Sequence, residues 1–116
     1  MKYALKMTGP VQQVLRAMLE DAAVPRYGLE ISKQAGLETG TLYPIMARLE
    51  GVGWVESHWE DPELSISDGR PRRRYYQLTK DGAEQARVAL AEISARGERR
   101  RSSLAGAQPA PLGGLL

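Results

Sequence analysis

Small, hydroxylated and singly basic side chains gather between Thr39 and Arg48, set between the apolar positions of one periodic pattern. Leu42, Ile45, Met46 and Leu49 recur at i, i+3, i+4 and i+7, the spacing of a helix with one buried face. Thr41, Tyr43, Pro44, Ala47 and Arg48 fall on the opposite face. A helix that only covers a core carries Lys and Glu outside. This one keeps a low outer profile with hydroxyls and a guanidinium, the chemistry with which a helix approaches a DNA groove and hydrogen-bonds to phosphate and base edges. Thr39 and Thr41 also suit helix capping, and a hydroxyl can cap while neighbouring backbone N–H groups meet phosphate. The blander alternatives are a Tyr43 lying flat on the protein and an Arg48 paired with Glu38 or Glu50, a surface interaction worth little.

A second concentration of charge lies further along the chain. From Gly53 to Gly69 there are Glu56, Glu60, Asp61, Glu63 and Asp68 without Lys or Arg, and then come Arg70, Arg72, Arg73 and Arg74. These guanidiniums either contact phosphate or pair across a hairpin with the acidic strand. Pairing Val55 with Tyr76 sets Trp59 opposite Arg72 and places Arg73 between Glu56 and Glu60, so about half of the cluster is internal by cross-strand arithmetic. Arg70, next to Gly69, is then the best candidate for a free contact with DNA. His58 is the only histidine and there is no cysteine, so no metal constellation, disulfide or nucleophile–base pair can be assembled. No cofactor and no enzymatic activity are expected.

These residues need a scaffold, and the chain of 116 residues, 42% hydrophobic and 26% charged, is long enough for one modest core. A formal net charge of +2 does not by itself mark a nucleic-acid binder; the placement of charge matters more. The absence of a membrane-length apolar run or a signal-peptide core leads us to expect a soluble, cytoplasmic protein. Val11, Val14, Leu15, Met18 and Leu19 mark a first helix, with Thr8 as cap and Pro10 in its first turn. A second helix spans about Tyr27 to Gln34 and stops at Gly36. Pro44 places the start of the third at Thr41 as cap, because proline costs least where helical N–H groups lack partners anyway. Alternation through Val55, Ser57 and Trp59 predicts a strand, Pro62 to Gly69 a long loop, and Arg72 to Leu78 a returning strand. Thr79 and Asp81 open a last helix to about Glu98, in which Ala83, Ala86, Leu90 and Ile93 are spaced like a heptad. The expected fold is mainly α with a small β-hairpin: a winged helix-turn-helix over residues 1–80, a C-terminal dimerisation helix over 81–101 and a disordered tail over 102–116.

Four blocks, Tyr27–Ile31 (YGLEI), Gly40–Glu50 (GTLYPIMARLE), Gly53–Glu60 (GWVESHWE) and Gly69–Gly82 (GRPRRRYYQLTKDG), occur in an order and spacing that resemble the PadR family of bacterial transcriptional regulators. The resemblance implies a homodimeric repressor on a roughly palindromic double-stranded DNA operator, and admits a small-molecule inducer of unknown identity. It carries DNA contact to Thr39, Gly40, Thr41, Tyr43, Pro44 and Arg48 on the reading helix and to Arg70, Arg72 and Arg73 on the wing. The last helix holds no aromatic residue, which departs from a family in which such side chains line an inducer pocket. Its heptad pattern is too short to dimerise alone, so Val11, Leu15 and Met18 of the first helix are expected to share the interface with Ala83, Ala86, Leu90 and Ile93. The alternative from another class is a winged-helix module that presents the same face to a protein partner.

Overall fold

A computed structural model describes residues 5–107. Helix α1 (Gly9–Leu19) begins where Thr8 caps it, its hydroxyl accepting the Val11 amide at 3.3 Å. Its C-terminal carbonyls are closed by Arg26. This guanidinium, on a residue only 7% exposed, donates to the Ala17, Met18 and Asp21 carbonyls and to Gln34 Oε1 at 2.7–3.0 Å. Such a cation offsets the partial negative charge of a helix end, and here it also ties α1 to the Gln34 side chain. Arg26 and Tyr27 form a two-residue strand, β1, which pairs with the returning hairpin strand and was not anticipated from the sequence. Helix α2 (Gly28–Ala35) closes at Gly36, φ 72°, as its sequence predicts.

Helix α3 (Thr39–Gly51) starts two residues before the expected cap at Thr41. The Glu38 carbonyl accepts the amides of both Thr41 and Leu42 at 3.0 Å, so the first turn forms ahead of Thr41. Neither Thr39 nor Thr41 caps the helix, and Pro44 lies in its interior. Proline cannot bond the Gly40 carbonyl, a loss offset by the burial of Leu42, Ile45, Met46 and Leu49, none more than 4% exposed.

The hairpin strands, β2 (Val55–Trp59) and β3 (Arg74–Leu78), pair antiparallel in a sheet of order β1-β3-β2. Val55 faces Leu78 and Trp59 faces Arg74, two residues from the register expected on sequence. A shift of two preserves which side chains share a face, so Leu78 and Tyr76 both still reach the core. The expected long loop contains a short helix, α4 (Pro62–Asp68), capped by the Asp61 carboxylate on the Glu63 amide at 3.0 Å and closed by Gly69 at φ 65°.

Helix α5 (Lys80–Ala107) begins where the Thr79 hydroxyl accepts the Gly82 amide at 2.9 Å. It runs past the expected boundary, so Ser102–Ala107 are helical rather than tail; residues 108–116 of that expectation lie outside the described residues. The chain divides into two compact units, one ending at Ala86 and one starting at Arg87. The core of the first contains Val11, Leu15 and Met18, each at most 1% exposed, together with Ala83 and Ala86. Those five side chains, expected at an interface with a second copy, pack within their own chain. In the second unit Leu90 and Ile93 are half-buried.

Candidate functional site

One face of α3 is open. Thr39, Gly40, Thr41, Tyr43, Pro44, Ala47 and Arg48 are all exposed, the arrangement the i, i+3, i+4 pattern predicts. Arg48 forms no ion pair or side-chain hydrogen bond among the described residues. The carboxylate of Glu50 turns instead to the hairpin, accepting the Ser57 hydroxyl at 2.6 Å and the Arg74 guanidinium at 3.3 Å. Tyr43 is 45% exposed and its ring lies against the backbone of α2, where a Cβ at Gly28 would overlap the phenol. The first turn of α3 has no side-chain cap, which leaves the Thr39 and Gly40 amides directed outward beside these hydroxyls.

The arginines divide into engaged and available. Arg70 is not the free contact expected from its place near Gly69. Both its terminal nitrogens donate to the Glu60 carboxylate at 2.8 Å, and a third contact reaches Asp68 at 3.2 Å. The Arg70 hydrogen bonds, with the Arg73 amide assisting, pull the Glu60 carboxyl from 4.5 down to about 2, and Glu60 in turn raises Arg70 above its ordinary value. The fold of α4 explains the capture, since it brings Asp68 and Gly69 back beside Glu60. Arg74 is held by Glu50 and Ser57. Arg72 is exposed and lies 5.5 Å over the Trp59 ring, the contact expected from sequence despite the shifted register. Arg73 lies against Glu60, whose amide donates to the Arg73 carbonyl at 2.8 Å while the Arg73 amide donates to the Glu60 carboxylate at 3.2 Å, but Glu56, paired with Gln77, does not flank it as predicted. The Arg73 guanidinium sits 4.1 Å over the Tyr27 ring, a partner supplied by the unanticipated strand β1.

These elements enclose an open groove of about 480 Å³, lined by Tyr27, Gly28, Leu29, Tyr43, Trp59, Pro71, Tyr76 and Arg70 to Arg74. Burial pushes the Tyr76 phenol up while Arg74 pulls it down. Trp59 and Tyr76 are legible in the sequence only as packing residues, Tyr27 only as the start of a helix, and nothing in its periodicity marks Gly28. The end of the hairpin has another character: α4 exposes Leu64 and Ile66 among Asp61, Glu63 and Asp68. Among the described residues no helix is long and apolar enough to cross a membrane, and no group of His, Cys, Asp and Glu is placed to hold a metal.

An exposed helix face beside a cationic hairpin is the frame of a winged helix-turn-helix, and the family model described as the transcriptional regulator PadR-like family matches residues 15–88. The chain belongs to the PadR-like family of transcriptional regulators. Solved PadR structures share the fold. A PadR family transcription regulator from hypervirulent Clostridium difficile aligns with TM-score 0.66 at 24% identity, over 84% of this chain and 99% of that one. A PadR family transcriptional regulator from Eggerthella lenta aligns with TM-score 0.66 at 26% identity, over 83% of this chain and 84% of the other. A PadR-like transcriptional regulator from Bacillus cereus gives TM-score 0.61 at 20% identity, over 81% and 89%. No curated protein matches the sequence. The PadR match spans α2, α3 and the hairpin, the elements that build the open face and the groove.

Proposed function

We propose that this PadR-like regulator is a homodimeric, sequence-specific DNA-binding repressor whose α3 enters the major groove. The observation that carries the reading is the open face of α3, with Arg48 uncommitted and the Thr39 and Gly40 amides unoccupied at its start. Hydroxyls and amides at that edge position the helix on phosphate, while Arg48 and Tyr43 stand where base edges are read. Arg72 and Arg73 serve the wing and Arg70 does not, because its donors are spent on Glu60 and Asp68. The acidic residues of α4 point to a wing that meets phosphate through Arg72 and Arg73, where the strands end, rather than through α4 itself.

The test is binding to an operator selected from a random duplex pool. Arg48→Ala is expected to weaken binding to the selected operator by about 1–3 kcal/mol, the worth of one good base contact. Arg72→Ala is expected to flatten the salt dependence by about 1, as for a lost phosphate contact. Selection that recovers no sequence, with affinity insensitive to salt, would favour a protein partner for the same face.

A further inference from the structure

An indole at the surface needs a reason. Trp59 ends β2 and is 52% exposed, although the same face of that strand buries Val55. Antiparallel pairing sets Trp59 opposite Arg74, with Ser57 two residues away on the shared face. Two guanidiniums meet the ring, Arg72 at 5.5 Å and Arg74 at 5.4 Å from its centroid. Their other commitments differ. Arg74 donates to Ser57 Oγ at 2.8 and 3.1 Å and to the Glu50 carboxylate at 3.3 Å, and Glu50 also accepts the Ser57 hydroxyl at 2.6 Å. Glu50 belongs to the last turn of α3, so the ring is tied through Arg74 to the end of that helix. Arg72 is anchored at Nε alone, which donates to the Glu60 carbonyl at 3.2 Å. Its two terminal nitrogens have no hydrogen-bond partner among the described residues, and the side chain is exposed. A long side chain loses rotamer freedom when it docks on a phosphate. A planar guanidinium already held at Nε and on a ring face loses less, and keeps its terminal donors for an acceptor.

We propose that Trp59 is a positioning residue for the wing: its ring, tied to α3 through Arg74, holds Arg72 so that the terminal nitrogens are ready for a backbone phosphate. Trp59 acts through Arg72 and need not touch DNA itself. This role rests on the DNA-binding function proposed for α3; the contact between Arg72 and Trp59 does not. It also divides the labour of the two cations on one ring. Arg74 is spent on Glu50 and Ser57 and serves as the anchor, whereas Arg72 keeps its donors for phosphate.

The experiment measures binding of the selected operator by the full chain in a double-mutant cycle of Trp59→Leu, Arg72→Ala and both together. Trp59→Leu is expected to weaken binding by about three- to tenfold, the benefit of holding one arginine in advance. Once Arg72 is replaced, the same change should have no further effect. Trp59→Phe, which keeps a ring, should stay within about twofold of the unaltered chain. A role confined to packing would give additive losses instead; circular dichroism confirms that each variant is folded. Without DNA, the Arg72 side-chain resonances should shift in Trp59→Leu as the ring current is lost. Additive losses, full affinity in Trp59→Leu, or unmoved Arg72 resonances overturns the proposal while leaving the DNA reading intact. An unaltered chain that binds no selected operator, although its Arg72 resonances respond to Trp59, overturns the DNA reading and the positioning role with it.

Discussion

Glu60 and Arg70 show how a charged pair beside a recognition surface is diverted to the fold. Arg70 hydrogen bonds hold the Glu60 carboxyl near 2, below its ordinary 4.5. A carboxylate depressed in the folded state adds stability that is complete above 4.5 and is lost as pH falls through about 2. Thermal melts from neutral pH down to about 2 should therefore show the melting temperature dropping across that window. Glu60→Gln should melt lower at neutral pH and show a flatter dependence in the same window; parallel curves would remove the pair from the acid response. Gly28 makes a second case. Adding a Cβ there overlaps the Tyr43 phenol, so Gly28→Ala is expected to cost about 1–3 kcal/mol, as overpacking does, and to lower operator affinity by turning Tyr43 out. Removing the ring in the same background, Tyr43→Ala, should recover most of that stability in a double-mutant cycle, and strict additivity would contradict the contact. At this scale the sequence announced which side chains carry charge or hydroxyl. It did not announce their partners, because Arg70 meets Glu60 through the path of α4 and Arg73 meets Tyr27 through the pairing of β1, neither of which the sequence marks.

At the scale of elements, periodicity succeeded where a face is long and failed where an element is short. The buried stripe of α3, the Gly36 stop and the Thr79 start follow from spacing and capping chemistry. Strand β1 has two residues and cannot display alternation, and α4 is held by its caps rather than by an apolar stripe. The hairpin register slipped by two because Tyr76 and Leu78 are both apolar and point the same way, leaving pattern alone unable to choose. The position of Pro44 is the more instructive miss. Local propensity favours a later helix start, yet burial of Leu42 and its neighbours extends α3 back to Thr39. The fold thus tolerates an interior proline, which costs about 3 kcal/mol in an unconstrained helix. Pro44→Ala should raise stability by about 1–3 kcal/mol in urea unfolding, since it restores a bond to the Gly40 carbonyl. Unchanged or reduced stability would mean that the ring packs usefully where it stands.

For the whole molecule, the proposed homodimer raises the question of how two copies of α3 would be held at once. Val11, Leu15 and Met18 fill the core of the first unit, each at most 1% exposed, so this stripe of α1 is already packed within its own chain. In the proposed dimer, the surface for a second copy is sought elsewhere. On α5 the half-buried Leu90 and Ile93 and the 61% exposed Val88 remain as apolar side chains outside that core. A symmetric operator presents half-sites roughly 34 Å apart, and the second half-site binds with the effective concentration that dimerisation supplies. Replacing Leu90 and Ile93 by Glu together sets like charges on the proposed interface without touching the first core. Sedimentation should then report a monomer, circular dichroism an unchanged first unit, and operator affinity a loss of about 10²–10⁴ because the half-sites are bound independently. A chain that stays dimeric after both substitutions would shift the interface off this stretch of α5. A monomer with full operator affinity would instead dissolve the link between dimerisation and recognition.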